Sequence, residues 1–415
     1  MSDLPLSHTQ WISRFHNHLS NERYANGTVK HRVAIAREFL SFLEARNIDL
    51  RAVRPNDVEH YLQQALRKFR QHRTHPPHKQ WRQAHFHPIC VFLRFVLEKW
   101  PPAPRRISCA EEFKRKLCDE YADWMASARG LSDETILLRL RETRRFLSWL
   151  GRCATKARIA ALTVADIDRY VKHRSTHLQR SSIGTVASWT RALLRWLHIN
   201  GQTGTDLSTV VMAGSNYQFE KIPPALAWED VKRVLAAAGH DRTAKGIRDY
   251  AILMLLSQYG MRAGEIARLR LEDIDWRQGV IRVRHSKTQV TSHLPLFPQV
   301  GDAILNYLQK ARPKTSLRHV FLVSHAPYRP FKKGASLNSL VRDRIDAAGV
   351  LGHSRRGPHA FRHARAVSLL RAAVPLKEIG DVLGHRSSRS TMIYLKLATE
   401  DFRAIALEIP AEVSA

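Results

Sequence analysis

Six side chains within the last 160 residues have types and an order suited to chemistry on a phosphodiester: Arg262, Lys287, His359, Arg362, His385 and Tyr394. Two guanidiniums with imidazole donors can stabilise the charge that builds on the non-bridging oxygens of a pentacoordinate phosphorus, without a metal ion. A lysine can protonate a leaving 5′-oxygen. A phenol with a pKa of roughly 10 must lose its proton as it attacks, assisted by a base such as His359 and by the field of the arginines. Together they imply phosphoryl transfer from DNA to a tyrosine hydroxyl. Singly, each has a plainer reading: ten tyrosines occur in the chain, an arginine after a helix stop is often only solvated, and a lysine at a hairpin tip commonly serves solubility. The joint pattern carries the inference.

The elements that must hold these groups follow from local pattern. Residues 249–275 read as a buried helix, a turn at Gly260-Met261-Arg262 and a second short helix. Residues 279–285 and 291–296 alternate like the strands of a hairpin, with Lys287 near its tip. Pro358 opens a helix that sets His359 and Arg362 on one face near its positive end. Another helix, 375–383, stops at Gly384-His385, nine residues before Tyr394. Glu265 reads either as an ion-pair partner for an arginine or as a helix-surface residue, and His353 and His363 as neighbours of the site or ordinary surface residues.

Over residues 225–400 the sequence resembles the tyrosine recombinase, or phage integrase, family. The likeness lies in Gly260-Met261-Arg262-Ala263-Gly264-Glu265, the Lys287 hairpin, Pro358-His359-Ala360-Phe361-Arg362-His363, Leu383-Gly384-His385 and Tyr394. The resemblance implies that Arg262 and Arg362 clamp the scissile phosphate, that His359 is the acid–base histidine and that Lys287 protonates the leaving oxygen. His385 would be the second histidine, and Tyr394 the nucleophile of a 3′-phosphotyrosine intermediate. It also implies a helical core-binding domain that closes over DNA opposite the catalytic domain.

Composition agrees. A formal net charge of +30 over 415 residues points to a polyanionic partner, double-stranded DNA first, with a ribosomal or RNA-associated protein as the alternative. The excess is spread, with 35 basic against 19 acidic residues over 1–215 and 32 against 18 over 216–415, so more than one domain is expected to touch DNA. Cys90, Cys109, Cys118 and Cys153 lack zinc-finger spacing and read as core thiols in a reducing cytosol. No signal peptide and no run of about 18 apolar residues is visible, so the expected protein is cytoplasmic, with no membrane partner and no cofactor.

The first half carries a weak internal repeat. Residues 28–43 match 135–150 at an offset of 107, 57–62 match 166–171 at 109, and Leu93-Arg94-Phe95 match Leu194-Arg195-Trp196 at 101. Chance likeness of two basic amphipathic helices is the alternative. Between the matched segments, residues 67–87 form a His-rich basic stretch holding His72, His75, His78, His85 and His87. It reads as a solvated loop lying against DNA, with metal binding as the less favoured choice.

The expected fold is mainly α: two tandem helical (SAM-like) DNA-binding modules, 1–105 and 108–215, then a mixed α+β catalytic domain, 225–415, with a small β-hairpin. The second module fits the core-binding role, and the first stands where many relatives carry a small arm-binding domain. Residues 399–409 read as an amphipathic helix, docking either on a neighbouring protomer or on its own domain. The function expected is site-specific recombination or integration for a mobile element, by a tetramer on paired sites or with other recombinases. The competing readings are a type IB-like topoisomerase and a non-catalytic accessory subunit.

Overall fold

The structure is a computed structural model. It describes residues 7–395 except 73–75, 79, 103–107, 152–153, 177, 213–224, 286–289, 332–334, 351–355, 386–388 and 393. The carboxy-terminal helix expected over 399–409 lies outside the described residues, as do Cys153, His75 and His353.

The chain divides into two compact units, residues 102–221 and residues 1–101 with 222–415. Among the described residues, three large hydrophobic cores are drawn from Ile12–Trp100, Leu117–Val211 and Leu226–Ala364, and a small fourth cluster gathers Ala366, Ile379, Leu383 and Tyr394. The first is built by α1 (His8–Asn21), α2 (Asn26–Glu44), α3 (Pro55–His72) and α4 (Trp81–Leu97). The second belongs to α5 (Cys109–Ser127), α6 (Asp133–Trp149), the short α7 (Lys156–Ala160), α8 (Val164–Ser175) and α9 (Arg180–Ile199). Capping boxes at Ser7/Gln10 and Ser108/Glu111 start the first helix of each set, because a serine hydroxyl and a residue three on satisfy opposite orphan N–H groups.

The two sets are built alike inside. Val29, Val33, Ala36, Phe39 and Leu40 of α2 are buried, as are the residues 107 further on in α6, Ile136, Leu140, Thr143, Phe146 and Leu147. Phe39 meets Tyr61 edge-on at 5.3 Å and 81°, and Phe146 meets Tyr170 at 4.9 Å and 79°. Each tyrosine hydroxyl donates to a glutamate, Tyr61 to Glu38 at 3.2 Å and Tyr170 to Glu142 at 2.6 Å. In the last helices the match shifts by one turn. Ile89, Cys90, Phe92 and Leu93 are buried like Leu193, Leu194, Trp196 and Leu197, an offset of 104 in place of 101. Phe92 packs on Phe15 at 5.1 Å as Trp196 packs on Tyr121 at 5.0 Å.

Two expectations need correction. Much of the basic stretch 67–87 is helical: α3 runs to His72 and α4 begins at Trp81, since the buried face Ile89, Phe92 and Leu93 carries helical spacing back over the charged residues. His85 Nδ1 lies 2.9 Å from the Trp81 carbonyl and its ring stacks on Trp81 at 4.1 Å. Among the described residues no group of three or more His, Cys, Asp or Glu side chains is placed to hold a metal ion. Cys109 is exposed at the first turn of α5, while Cys90 and Cys118 are core thiols. No described helix is long and apolar enough to cross a membrane.

The third core surrounds α11 (Ala244–Tyr259), whose residues Ala251–Leu256 are all buried. It packs against α10 (Trp228–His240), introduced at its amino-terminal side, and against later helices described below. After α12 (Ala263–Arg268), a three-stranded antiparallel sheet β1 (Ile274–Asp275), β2 (Val280–His285), β3 (Val290–Pro295) stands in that order. The hairpin expected around Lys287 is present, in the register His285↔Val290 and Val283↔Ser292. The two-residue β1 pairs Ile274 with Ile281 and was not visible in the sequence. Helices α13 (Pro298–Lys310), α14 (Ala335–Ala347), α15 (Pro358–Arg371), α16 (Leu376–Leu383) and the single turn α17 (Arg389–Met392) follow among the described residues. Arg344 of α14 grips the buried Asp249 of α11 at 2.8 Å and Asp241, the C-cap of α10, at 2.7 Å.

Glu142 is 3 % exposed and also receives Arg174 Nε at 2.7 Å. Burial alone would raise its pKa, but the hydrogen bonds from Arg174 and Tyr170 outweigh it and hold the carboxyl below its usual range. Glu142→Ala strands a half-buried guanidinium, that of Arg174, and the buried Tyr170 phenol. It should cost about 3–5 kcal/mol, measured as lost hydrogen-exchange protection in α6 and α8.

Candidate active site

The turn that ends α11 places the first arginine. Gly260 caps the helix in the left-handed region at φ +61, and a Cβ there would lie 2.7 Å from Leu383 and also against Arg362, so only glycine fits. Two residues on, Arg262 is the N-cap of α12. Glu265, three residues further, accepts the Arg262 backbone N–H and Nη1, each at 2.8 Å. The other terminal nitrogen, Nη2, donates to the Gly384 carbonyl at 3.2 Å. Glu265 is therefore an ion-pair partner, with its side chain 3 % exposed.

The second arginine comes from α15. Arg362 is 3 % exposed, and its Nη1 and Nη2 donate to the carbonyls of Gly260 at 2.7 Å and Leu383 at 2.6 Å. Burial, and then the neighbouring Arg262, bring its pKa down to about 10, so it remains cationic at neutral pH. The two guanidiniums thus grip the consecutive carbonyls of Leu383 and Gly384, where α16 ends in a second left-handed glycine at φ +62.

Tyr394 reaches the same place from the chain end. Its side chain is 2 % exposed and packs with Ala366, Ile379 and Leu383. Its ring lies nearly parallel to that of His385 at 6.1 Å, and its hydroxyl is 3.3 Å from His363 Nδ1. Burial raises the phenol pKa, opposed by the fields of Arg362 and then Arg262. His385 Nδ1 lies 2.9 Å from the hydroxyl of Thr391, which is itself buried. Burial, followed by Arg362 and Arg262, lowers the His385 pKa to about 4, so this imidazole is neutral at pH 7.

The structure therefore brings Arg262, Arg362, His385 and Tyr394 together. His359 is exposed in the first turn of α15, with its ring 6.1 Å from that of His363. The imidazole of His363 lies within hydrogen-bonding distance of the tyrosine hydroxyl. Lys287 lies outside the described residues, between two described strands.

Residues 225–401 match the family model of the phage integrases. An integrase/recombinase of Sinorhizobium fredii strain NGR234 is 35% identical over 295 residues, covering 71% of this chain and 69% of the relative. This chain belongs to the phage integrase, or tyrosine recombinase, family. A second integrase/recombinase of the same strain is 56% identical over 195 residues, 47% of this chain and 100% of the relative. Tyrosine recombinase XerD of Corynebacterium glutamicum is 26% identical over 305 residues, 70% of this chain and 96% of that one. In fold, the chain is similar to the XerH site-specific recombinase in a post-cleavage complex with its difH substrate. That likeness has a TM-score of 0.55 at 15% identity and covers 85% of this chain and 96% of the other. It is also similar to a lambda integrase tetramer bound to a Holliday junction, with a TM-score of 0.53 at 15% identity, covering 78% and 90%.

Within this recombinase fold, sequence reasoning passed over His285, the last residue of β2, and Thr391. His285 had a signal: Ile281, Val283 and His285 alternate onto one face of the strand, and all three are buried. His363 had one too, four residues after His359 on the same helix.

The depressed pKa of His385 fixes a pH effect. An ordinary histidine titrates near 6.5, so as pH falls the unfolded chain takes up this proton before the folded one does. The stabilising contribution is full above about pH 6.5 and is lost as pH falls toward the folded value of about 4. The melting temperature of the native protein should fall more steeply over that window than that of His385→Gln.

Proposed function

We propose that this chain is a site-specific DNA recombinase that cuts and rejoins strands through a 3′-phosphotyrosine at Tyr394. The observation that carries this reading is the convergence of Arg262 and Arg362 on the Leu383 and Gly384 carbonyls, beside the Tyr394 side chain. In the proposed reaction the Tyr394 Oη–P bond forms as the P–O5′ bond breaks. Arg262 and Arg362 neutralise the non-bridging oxygens. Lys287 gives its proton to the departing 5′-oxygen, and the phenolic proton passes to an imidazole, His359 by the family resemblance or His363 by proximity. Neutral His385 donates to the phosphate. The ester keeps the bond energy, so attack by a partner strand's 5′-hydroxyl rejoins DNA without ATP or a metal ion.

The partner is double-stranded DNA, in line with a net charge of +30. The working assembly is a tetramer on paired sites, as the lambda integrase neighbour is a tetramer on a Holliday junction. Residues 1–105, 108–215 and 225–415 are read as domains, each with its own core. The second grips the core site, and the first, built like it, grips flanking DNA. That additional module supports a role in moving a mobile element.

Wild-type protein incubated in EDTA with nicked suicide DNA carrying the element's end should form a covalent adduct resistant to SDS, and Tyr394→Phe should form none. Tight binding without an adduct for either protein would sink the enzymatic reading in favour of an accessory subunit. Deleting residues 1–105 should shorten the nuclease footprint on the same DNA, and an unchanged footprint length would count against the flanking-DNA role.

A further inference from the structure

The buried end of β2 holds a histidine that no step above uses. His285 is 3 % exposed, with partners on both ring nitrogens: Nδ1 lies 2.8 Å from Glu265 Oε1 and Nε2 lies 2.9 Å from the Ser292 hydroxyl. A carboxylate can only accept, so Nδ1 carries a proton and donates it. Arg262 Nη1 is 3.5 Å from that same nitrogen and 2.8 Å from the same Glu265 oxygen, so guanidinium and imidazole converge on one acceptor. Burial alone would push the Glu265 carboxyl up, yet the His285 and Arg262 hydrogen bonds outweigh it and keep it below its usual range, ionised. The flat face of the ring also occupies the space that Gly384 leaves by having no Cβ, since a methyl group there would collide with the ring. His285 therefore touches both things that hold Arg262, the Glu265 carboxylate and the Gly384 turn whose carbonyl accepts Nη2.

We infer that His285 is a positioning residue for Arg262. It fixes the rotamer of Glu265 from one side and the height of the Gly384 carbonyl from the other, so that the guanidinium is held at two points before DNA arrives. This rests on reading Arg262 as one of the phosphate clamps. The reasoning is geometric: without His285 the two Glu265 oxygens are held by the backbone N–H and Nη1 of Arg262, the residue to be positioned, whereas His285 ties the carboxylate to a rigid strand that is independent of Arg262. Ser292, on β3, orients the ring from behind, so the sheet becomes the reference frame for the arginine.

Single-turnover cleavage of the nicked duplex tests this with His285→Phe, His285→Asn, Arg262→Ala and the double variant Arg262→Ala/His285→Phe. His285→Phe keeps the bulk and loses the donor. It should bind DNA as the native protein does and cleave about 100-fold more slowly, the scale expected for a displaced reacting group. His285→Asn, which restores a donor near the Nδ1 position, should recover most of that loss. The double variant should be no slower than Arg262→Ala alone. Multiplying penalties, or native-rate cleavage by His285→Phe, overturns the inference; if His285→Phe does not fold, the cycle is run with His285→Asn against His285→Ser.

A methylphosphonate at the scissile position separates this result from the underlying reading. With one anionic oxygen replaced by a neutral methyl group, less charge needs neutralising, and the Arg262→Ala penalty should shrink. If it does not shrink, the clamp role of Arg262 fails whatever the double variant shows. If it shrinks while the His285→Phe penalty stays whole, His285 does not act through Arg262 and the positioning role fails.

Discussion

Two guanidiniums held side by side, one of them 3 % exposed, are the constraint on which the catalytic part depends. Like charges taken out of water repel and lose hydration, and each costs several kcal/mol unless its N–H groups find acceptors. The fold meets that demand with backbone. Gly260 and Gly384 each end a helix in a conformation that side chains disfavour, and each exposes a carbonyl that an arginine fork takes up. Glu265 supplies a full negative charge in direct contact with Arg262. The stop of α11, the stop of α16 and the packing of α15 between them are therefore one requirement expressed in three places.

The same arrangement explains the electrostatic character of the neighbouring groups. Burial, and after it the charge of the neighbouring guanidinium, brings Arg362 down to about 10, and the same two causes keep His385 from taking a proton until about 4. Imidazole and guanidinium divide their tasks by this means: the arginines hold fixed charge, and the histidine presents a neutral N–H. Thr391, buried beside it, fixes the ring through Nδ1.

Much of this was legible in the sequence, for reasons that differ by residue. Arg262, Arg362 and His385 could be placed because each follows a helix start or stop marked by Gly or Pro, and Tyr394 only through those partners and its spacing from His385. The hairpin could be placed because Ile281 and Val283 alternate with Arg282 and Arg284. His285 was missed because a histidine at a strand end looks like the start of a polar turn, although its parity puts it on the buried face. Glu265 stayed undecided because i,i+3 spacing to an arginine suits a surface pair as well as a buried one; only the collapsed turn at Gly260 distinguishes them. Residues 81–87 looked like a loop because their charge and histidines hide a helix whose apolar face begins at Pro88 and Ile89. The repeat was found, but its last segment was set one turn out of register, since Phe92 and Phe95 are equally plausible matches for Trp196 until Phe92 is seen fully buried and Phe95 only partly.

Under the proposed function, the burial of Tyr394 has a consequence for a cell that carries such a protein. A phenol lodged among Ala366, Ile379 and Leu383 uncovers apolar surface if it moves out toward a phosphate. Uncovering a large side chain costs about 1.5–3 kcal/mol, which would leave only roughly one molecule in ten to one in a hundred and fifty with that side chain bared at any moment. If Tyr394 is the nucleophile, the protein would scan a chromosome through its many basic residues while staying almost inert as a nuclease, until the correct assembly supplied that free energy. Safety toward the genome would then be a property of apolar packing around one hydroxyl.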